Sequence, residues 1–160
     1  MNIFRHRPLG LLAPALLITA AGCSSAGGGA TVEVPTPDAK AAGSCRNLHT
    51  ALPPKLDGLD RDDPGPRSVY TAGWGSPAII LRCGVERPKE MNDPEADGVG
   101  VNGVDWLLQK QDDGSFRFTT TLREAYVEVT IPKDRTAHGL APLTDLAKPI
   151  KKAIPEGIAH

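Results

Sequence analysis

Three cysteines are the side chains whose positions in this 160-residue chain predict covalent chemistry. The first, Cys23, follows a basic stretch over residues 1–7, an apolar run over residues 9–21 and the small residue Gly22. These are the three parts of a secretory signal. As a helix the apolar run spans only about 20 Å, too little for a hydrocarbon core of about 30 Å. The sequence therefore predicts a signal peptide over residues 1–22.

The segment Ala20-Ala21-Gly22-Cys23 resembles a lipobox, in which the cysteine thiol is diacylated, with chains such as palmitate, before the signal is cleaved. Such boxes more often carry Leu where this chain has Ala20. Two acyl chains hold a protein stably on a membrane, whereas a single chain exchanges. We therefore expect a lipid anchor at Cys23 and a domain on the extracytoplasmic face of the cell membrane.

Once Cys23 is assigned to lipid, Cys45 and Cys83 remain as a pair. An extracytoplasmic location permits a disulfide between them. No CxxC motif and no Cys/His ligand spacing competes for a metal ion. The sequence therefore predicts a Cys45–Cys83 disulfide, and the alternative is two buried free thiols.

The usual catalytic and metal-binding patterns are missing. Ser76 lacks the glycines two residues before and after it that a nucleophile elbow needs. His49 and His138 stand at no ligand spacing. The acidic segment 57–63 lacks the loop glycine and terminal glutamate of an EF-hand and reads as a solvated turn. We expect no catalytic residue, no metal and no cofactor.

Composition argues against nucleic acid as a partner. The formal net charge is −1, and aromatic residues make up 4% of the chain. Such a chain has neither a basic footprint for phosphates nor many rings on which bases stack.

The two tryptophans lie in different contexts. Trp106 alternates with Val104 and Leu108, which indicates core packing. Trp74 lies in a glycine-flanked segment before a predicted central strand. We interpret that segment as a loop in which Trp74 either contacts a ligand or folds over the end of the core.

Strand alternation also assigns polar residues to one face of the predicted sheet. Cys83 shares a face with Leu81, so a disulfide to Cys45 would draw the first helix onto that face. The opposite face would be open to solvent, and it carries Arg82, Arg117, Thr119, Thr121, Tyr126, Glu128 and Thr130. Arg82, Arg123 and Glu128 either form a structural ion-pair cluster or recognise an anionic partner.

The chain divides into the signal, a lipidated and flexible linker over residues 23–43 rich in Ser, Gly, Ala and Pro, and one domain over residues 44–160. Ser44 is the expected N-cap of a helix that stops at Pro53-Pro54. Strand patterns follow at 77–85, 99–101, 104–110, 115–122 and 125–131, with Asn102-Gly103 as a hairpin turn. A helical face then runs from Leu140 to Ile154, kinked or split at Pro149. We expect an α+β fold: a small antiparallel sheet of about four to five strands packed with an N-terminal and a C-terminal helix.

Several segments resemble an uncharacterised lipoprotein family of high-GC Gram-positive bacteria, the actinobacteria, catalogued as domain of unknown function 3515. The similar segments are Cys45–Leu48 with Leu52-Pro53, Thr71–Pro77 running into Leu81–Val85, Val101–Trp106, and Phe118–Arg123 with Val127–Val129. The resemblance implies an exported, often lipid-anchored domain with Cys45 paired to Cys83. It implies no activity, cofactor or catalytic residue.

Together these features favour a non-catalytic binding or accessory module of the cell envelope, with an envelope protein or a cell-wall component as its partner. The candidate binding residues are Trp74, Arg82, Arg117, Arg123 and Glu128. The alternative is a hydrolase or transferase of envelope polymers whose site is not visible in sequence, since catalytic triads assemble from distant positions.

Overall fold

The computed structural model describes residues 29–158, so the predicted signal and Cys23 lie outside the described residues. Within that range the chain forms two α-helices and eight strands. The helices are α1 (Ala39–Ala51) and α2 (Ala141–Ala153). The strands are β1 (Lys55–Leu56), β2 (Leu59–Asp60), β3 (Thr71–Trp74), β4 (Ile79–Cys83), β5 (Gly98–Val101), β6 (Val104–Lys110), β7 (Phe116–Thr120) and β8 (Val127–Ile131).

The main sheet has six strands in the order β3-β4-β8-β7-β6-β5, and every neighbouring pair is antiparallel. The expectation of four to five strands is wrong. The additional strand is β3. It was expected to be part of a loop because its two central residues, Ala72 and Gly73, have small side chains that give no strand pattern. It lies at the edge of the sheet with all four residues buried.

A second, two-stranded sheet pairs β1 with β2. Asp57-Gly58 joins the two strands with φ angles of 48° and 77°, which suits a tight hairpin turn. This segment was expected to be loop because four aspartates surround the turn. Asn102-Gly103 makes the corresponding turn between β5 and β6, with φ angles of 50° and 80°, and the predicted hairpin is confirmed.

Helix α1 begins six residues earlier than expected. Its N-cap is Asp38, whose Oδ1 accepts hydrogen bonds from the backbone N–H groups of Lys40 (2.7 Å) and Ala41 (3.0 Å). The prediction of an N-cap at Ser44 is wrong. The prediction of a flexible linker up to residue 43 is likewise wrong from Ala39 onwards, where the helix begins, and before the helix Val32 N–H bonds to Gly65 O. Alanines that resembled linker composition are good helix formers, and two of them are buried.

Both helices pack on one face of the main sheet, which we call the inner face. Leu81, Phe118 and Val129 on that face are 2%, 3% and 0% exposed, as the alternation predicted. They share one hydrophobic core with Leu48 of α1 and Leu146 of α2. Helix α2 continues through Pro149 and is not split.

Cys45 of α1 and Cys83 of β4 form the predicted disulfide, which is confirmed. Both cysteines are buried in the core. The bond therefore fixes α1 to the inner face of β4.

Residues 85–97, which we call the crossing loop, connect β4 to β5 and must pass three intervening strands. The helices occupy the inner face, and the crossing loop lies over the opposite, outer face, where Arg87 and Glu90 approach Arg117 and Glu128. The loop includes a 3₁₀ turn at Lys89–Asn92. The outer face is therefore partly covered, and the expectation of an open polar face is wrong.

Replacing both Cys45 and Cys83 with Ala should lower the free energy of unfolding by about 4 kcal/mol, because the disulfide closes a loop with a sequence separation of 38 residues. Urea unfolding of the two proteins measures the difference. Dithiothreitol should lower the stability of the parent chain by a similar amount and leave the variant unchanged. An equal effect of the reductant on both proteins would contradict the disulfide.

Candidate functional site

A cleft of about 520 Å³ lies on the outer face between the crossing loop and the chain that precedes α1. Its floor is made of four side chains from the sheet, Arg82, Gln109, Arg117 and Glu128. One wall is formed by residues 33–36, and the other is formed by Gly84 and the first part of the crossing loop. We call it the polar cleft.

Strand register brings the floor residues together. Arg82 of β4 stands opposite Glu128 of β8, and Arg117 of β7 stands opposite Gln109 of β6. Directly opposed residues of antiparallel strands share a face and lie about 5 Å apart at Cβ. The same alternation that buries Leu81 and Val129 therefore places these polar side chains on the outer face.

Glu128 is the centre of the floor. It is 8% exposed, and its two carboxylate oxygens contact different arginines. Arg82 Nη1 donates to Oε1 at 3.3 Å, and Arg117 Nε lies 3.5 Å from Oε2. Both distances exceed the 2.7–2.9 Å typical of charge-assisted hydrogen bonds. One buried carboxylate thus orients two guanidinium groups without saturating either of them.

Donors and acceptors remain available around this centre. Among the described residues, no partner contacts the terminal nitrogens of Arg117 or the side-chain amide of Gln109. The side chain of Arg117 is 39% exposed, so its guanidinium reaches solvent in the cleft. Glu86 and Glu90 line the opposite wall with carboxylates. The cleft can therefore bind a ligand that carries both an anionic group and hydrogen-bond donors.

Trp74 does not join the polar cleft. It is 0% exposed in β3, and its Nε1 donates to Pro53 O at 3.1 Å. Arg61 stacks on its ring, with Cζ 5.9 Å from the ring centroid. The interpretation of Trp74 as a ligand-contacting loop residue is wrong. Trp74 packs in the core, which was the alternative. Trp106 is 1% exposed, as predicted.

Arg61 also holds His49 in a structural cluster. Its Nη2 lies 3.3 Å from the His49 ring nitrogens, and its Nε donates to Asp63 at 2.7 Å. Burial lowers the pKa of His49 below its ordinary value, and the Arg61 cation lowers the pKa further. Arg61 thus contacts His49, Asp63 and the ring of Trp74, which is a packing arrangement.

Arg123 also lies apart from Arg82 and Glu128. It is 4% exposed, and its guanidinium donates to Ile154 O at 3.2 Å and to Gly103 O at 2.9 Å. These bonds tie the end of α2 to the β5–β6 turn. Of the predicted Arg82, Arg123 and Glu128 cluster, the structure brings together only Arg82 and Glu128, with Arg117 as the third member.

A second cleft of about 530 Å³ lies on the other side of the crossing loop, and sequence reasoning missed it. Its apolar lining includes Met91, Leu107, Leu122, Tyr126 and Ile158. Leu122 and Ile158 are 63% and 65% exposed, unusual for large apolar side chains. We call it the apolar cleft. Leu122 and Ile158 lie 36 residues apart in the chain, and no periodicity joins them.

Within residues 29–158, no group of three or more His, Cys, Asp or Glu side chains is placed to hold a metal ion. In the acidic segment 57–63, Asp57 contacts His138 and Asp60 contacts Lys55, both at 2.7 Å. No helix in the same range is long and apolar enough to cross a membrane.

Glu128→Gln should lower the free energy of unfolding by about 1–3 kcal/mol, because it leaves two arginines facing a neutral amide in a buried position. Arg117→Gln should cost less than about 1 kcal/mol, because Arg117 is partly solvated and Arg82 still pairs with Glu128. Urea unfolding of both variants tests the difference. A larger loss for Arg117→Gln than for Glu128→Gln would contradict Glu128 as the centre of the floor.

Comparison with known proteins places the chain in one family. A family model described as a protein of unknown function, DUF3515, matches residues 9–159. The curated proteins contain no match to this chain. No solved structure matches it either. Since the matched range covers nearly the whole sequence, the chain belongs to the DUF3515 family.

Proposed function

We propose that this chain is an exported lipoprotein of an actinobacterial cell envelope, anchored in the membrane through Cys23, and that its folded part is a non-catalytic binding module. The polar cleft is its ligand site. The observation that carries the proposal is the buried Glu128, which orients Arg82 and Arg117 while leaving donors of Arg117 and Gln109 open to the cleft.

Stability alone does not account for this arrangement. Burying a carboxylate with its counter-ions seldom stabilises a fold more than apolar side chains of similar size would. Leu107, on the same face two strands away from Glu128, shows that the outer face also buries an apolar residue. A buried charge that holds two arginines in place is better explained by recognition, since pre-ordered donors lose less entropy when a ligand binds.

The chemistry of the lining defines the kind of partner. Guanidinium and amide donors stand on the floor, and the carboxylates of Glu86 and Glu90 stand on the wall. Such a mixed set favours a ligand with a carboxylate or phosphate beside ammonium, amide or hydroxyl groups. An envelope protein segment or a cell-wall component offers that combination.

The anchor and the cleft are close along the chain. Glu33, in the cleft wall, follows Cys23 by ten residues. Even fully extended, ten residues reach at most about 35 Å. A lipid on Cys23 would therefore hold the polar cleft near the membrane surface, within reach of ligands in the inner part of the envelope.

Cys23→Ser should abolish labelling by an alkyne fatty-acid probe and leave the precursor uncleaved, because the thiol is the acceptor of the diacylglyceryl group. Gel mobility and probe labelling of the full chain in its host measure both effects. Cys45→Ala should retain the label as the control. Undiminished labelling of Cys23→Ser would contradict the anchor.

Arg117→Gln should abolish capture of the cleft ligand on intact cells. A photoreactive benzophenone side chain introduced at position 90, in the cleft wall, forms the crosslink, and mass spectrometry identifies the product. Lys110→Gln is the matched control, since it removes the same charge from an exposed position outside the cleft. Thermal melting verifies that both variants fold. Equal capture by the two variants would contradict the polar cleft as the ligand site.

A further inference from the structure

Strand β5 leaves one side of its backbone unpaired at the edge of the main sheet. Val101 and Val104 flank the two-residue turn, and Leu108 N–H bonds to Asp97 O. Since hydrogen-bonded and non-hydrogen-bonded positions alternate along an antiparallel pair, the N–H and C=O groups of Gly98 and Gly100 point away from β6. No other described segment bonds to them. The edge thus offers two donors and two acceptors to another strand.

This edge lacks the usual protection against strand pairing. Proteins commonly shield exposed edges with lysine, proline, a bulge or a covering segment. Here both outward-facing residues are glycines, and both are exposed. Glycine weakens a strand, so its presence often marks a place where another backbone approaches closely. A Cβ built on Gly98 would meet only Trp106 O within 4 Å, at 3.6 Å, so the space beside it is open.

The apolar cleft lies directly beside this edge, and both Gly98 and Gly100 line it. Outer-face side chains of a strand added to β5 would stand next to these two glycines. Because Gly98 has no side chain, an added side chain beside it can lean across β5 towards Leu107, which stands opposite Gly98 on β6. Gly100 stands opposite Asp105, so an added side chain beside Gly100 meets that carboxylate. The exposed Leu122 and Ile158 extend the apolar surface available to them.

The rim of the apolar cleft is acidic. Asp93, Asp97 and Asp105 line it and form no ion pair with any described residue. Arg87 also lines the cleft, but its guanidinium donates to Asn92 Oδ1 at 2.6 Å and to Met91 O at 3.2 Å. The charge of the rim therefore complements a basic ligand.

We infer that the β5 edge and the apolar cleft together form a docking site for an extended segment of a partner protein that carries an apolar side chain between basic side chains on one strand face. The segment adds as a seventh strand, with its apolar side chain beside Gly98 and a basic side chain beside Gly100, on the same face as Asp105. A second copy of this chain is a poor occupant, because pairing two β5 edges would bring acidic rims together. The site is separate from the polar cleft, and Arg117→Gln should leave it unchanged.

A labelled heptapeptide of sequence Thr-Lys-Thr-Val-Thr-Lys-Thr, whose Lys and Val side chains share one strand face, is the probe, and Thr-Glu-Thr-Val-Thr-Glu-Thr is its control. Fluorescence anisotropy with the full chain should show binding of the basic peptide and none of the acidic one. Asp97→Asn with Asp105→Asn should weaken binding about fivefold or more, since two rim charges are lost. Asp112→Asn with Asp134→Asn removes the same charge from exposed positions outside the cleft and should change little.

Amide hydrogen exchange distinguishes strand addition from loose electrostatic attraction. Bound peptide should slow exchange at Gly98 and Gly100, whose N–H groups face the edge, and leave Val99, already paired with β6, unchanged. Failure of the basic peptide to bind below about 1 mM, or binding without protection at Gly98 and Gly100, would overturn the inference. Protection of these amides that grows with protein concentration in the absence of peptide would make a second copy the occupant and overturn it as well.

Discussion

The disulfide between Cys45 and Cys83 joins the first helix to the second strand of the six-stranded sheet, and the use of both sheet faces depends on it. Because Cys83 must point towards α1, its strand neighbour Arg82 must point to the opposite face. Because Glu128 stands opposite Arg82 in the register, it points to the same face. The bond between a helix and a strand thus fixes α1 to the face whose side chains form the core, and the opposite face lines the clefts.

The outer face buries both a charged side chain and an apolar one. Glu128 is buried among arginines, where a carboxylate is stable only while it is paired. On the same face, Leu107 of β6 is 4% exposed and lines the apolar cleft. The floor of the polar cleft is therefore held by ion pairs, whereas the floor of the apolar cleft is held by burial of apolar surface. Both floors belong to one sheet. High salt should screen interactions at the solvated rims more than the contacts of Glu128 itself.

Much of the fold followed from alternation in the sequence, and the errors have physical causes. Strands β4, β6, β7 and β8 have enough β-branched and aromatic residues for their inner faces to be read directly. Strand β3 was missed because Ala72 and Gly73 carry little side-chain signal, and its burial comes from neighbours distant in sequence. The segment from Ala39 to Gly43 was misread because alanine and glycine suit both linkers and tightly packed helices.

The candidate site was predictable only in part for a related reason. Alternation assigned Arg82, Arg117 and Glu128 to one face, and register brought them together. Arg123 lies beyond the end of β7, where alternation no longer applies, and its guanidinium binds backbone carbonyls. Trp74 belongs to the missed strand, so its burial was not visible. The apolar cleft was invisible because its lining comes from the crossing loop, two strands, the β7–β8 connection and the chain after α2.

The length of the crossing loop explains why it does not cover the outer face evenly and leaves clefts there. From β4 to β5 the chain must pass four strand spacings, or about 19 Å. The loop over residues 85–97 can extend to more than about 40 Å. Part of the excess length is taken up by the 3₁₀ turn at Lys89–Asn92. The guanidinium of Arg87 donates to Asn92 Oδ1 and Met91 O, which ties the start of the loop to this turn, and a cleft lies on each side. Topology thus creates both clefts, and the residues under each one determine what can bind there.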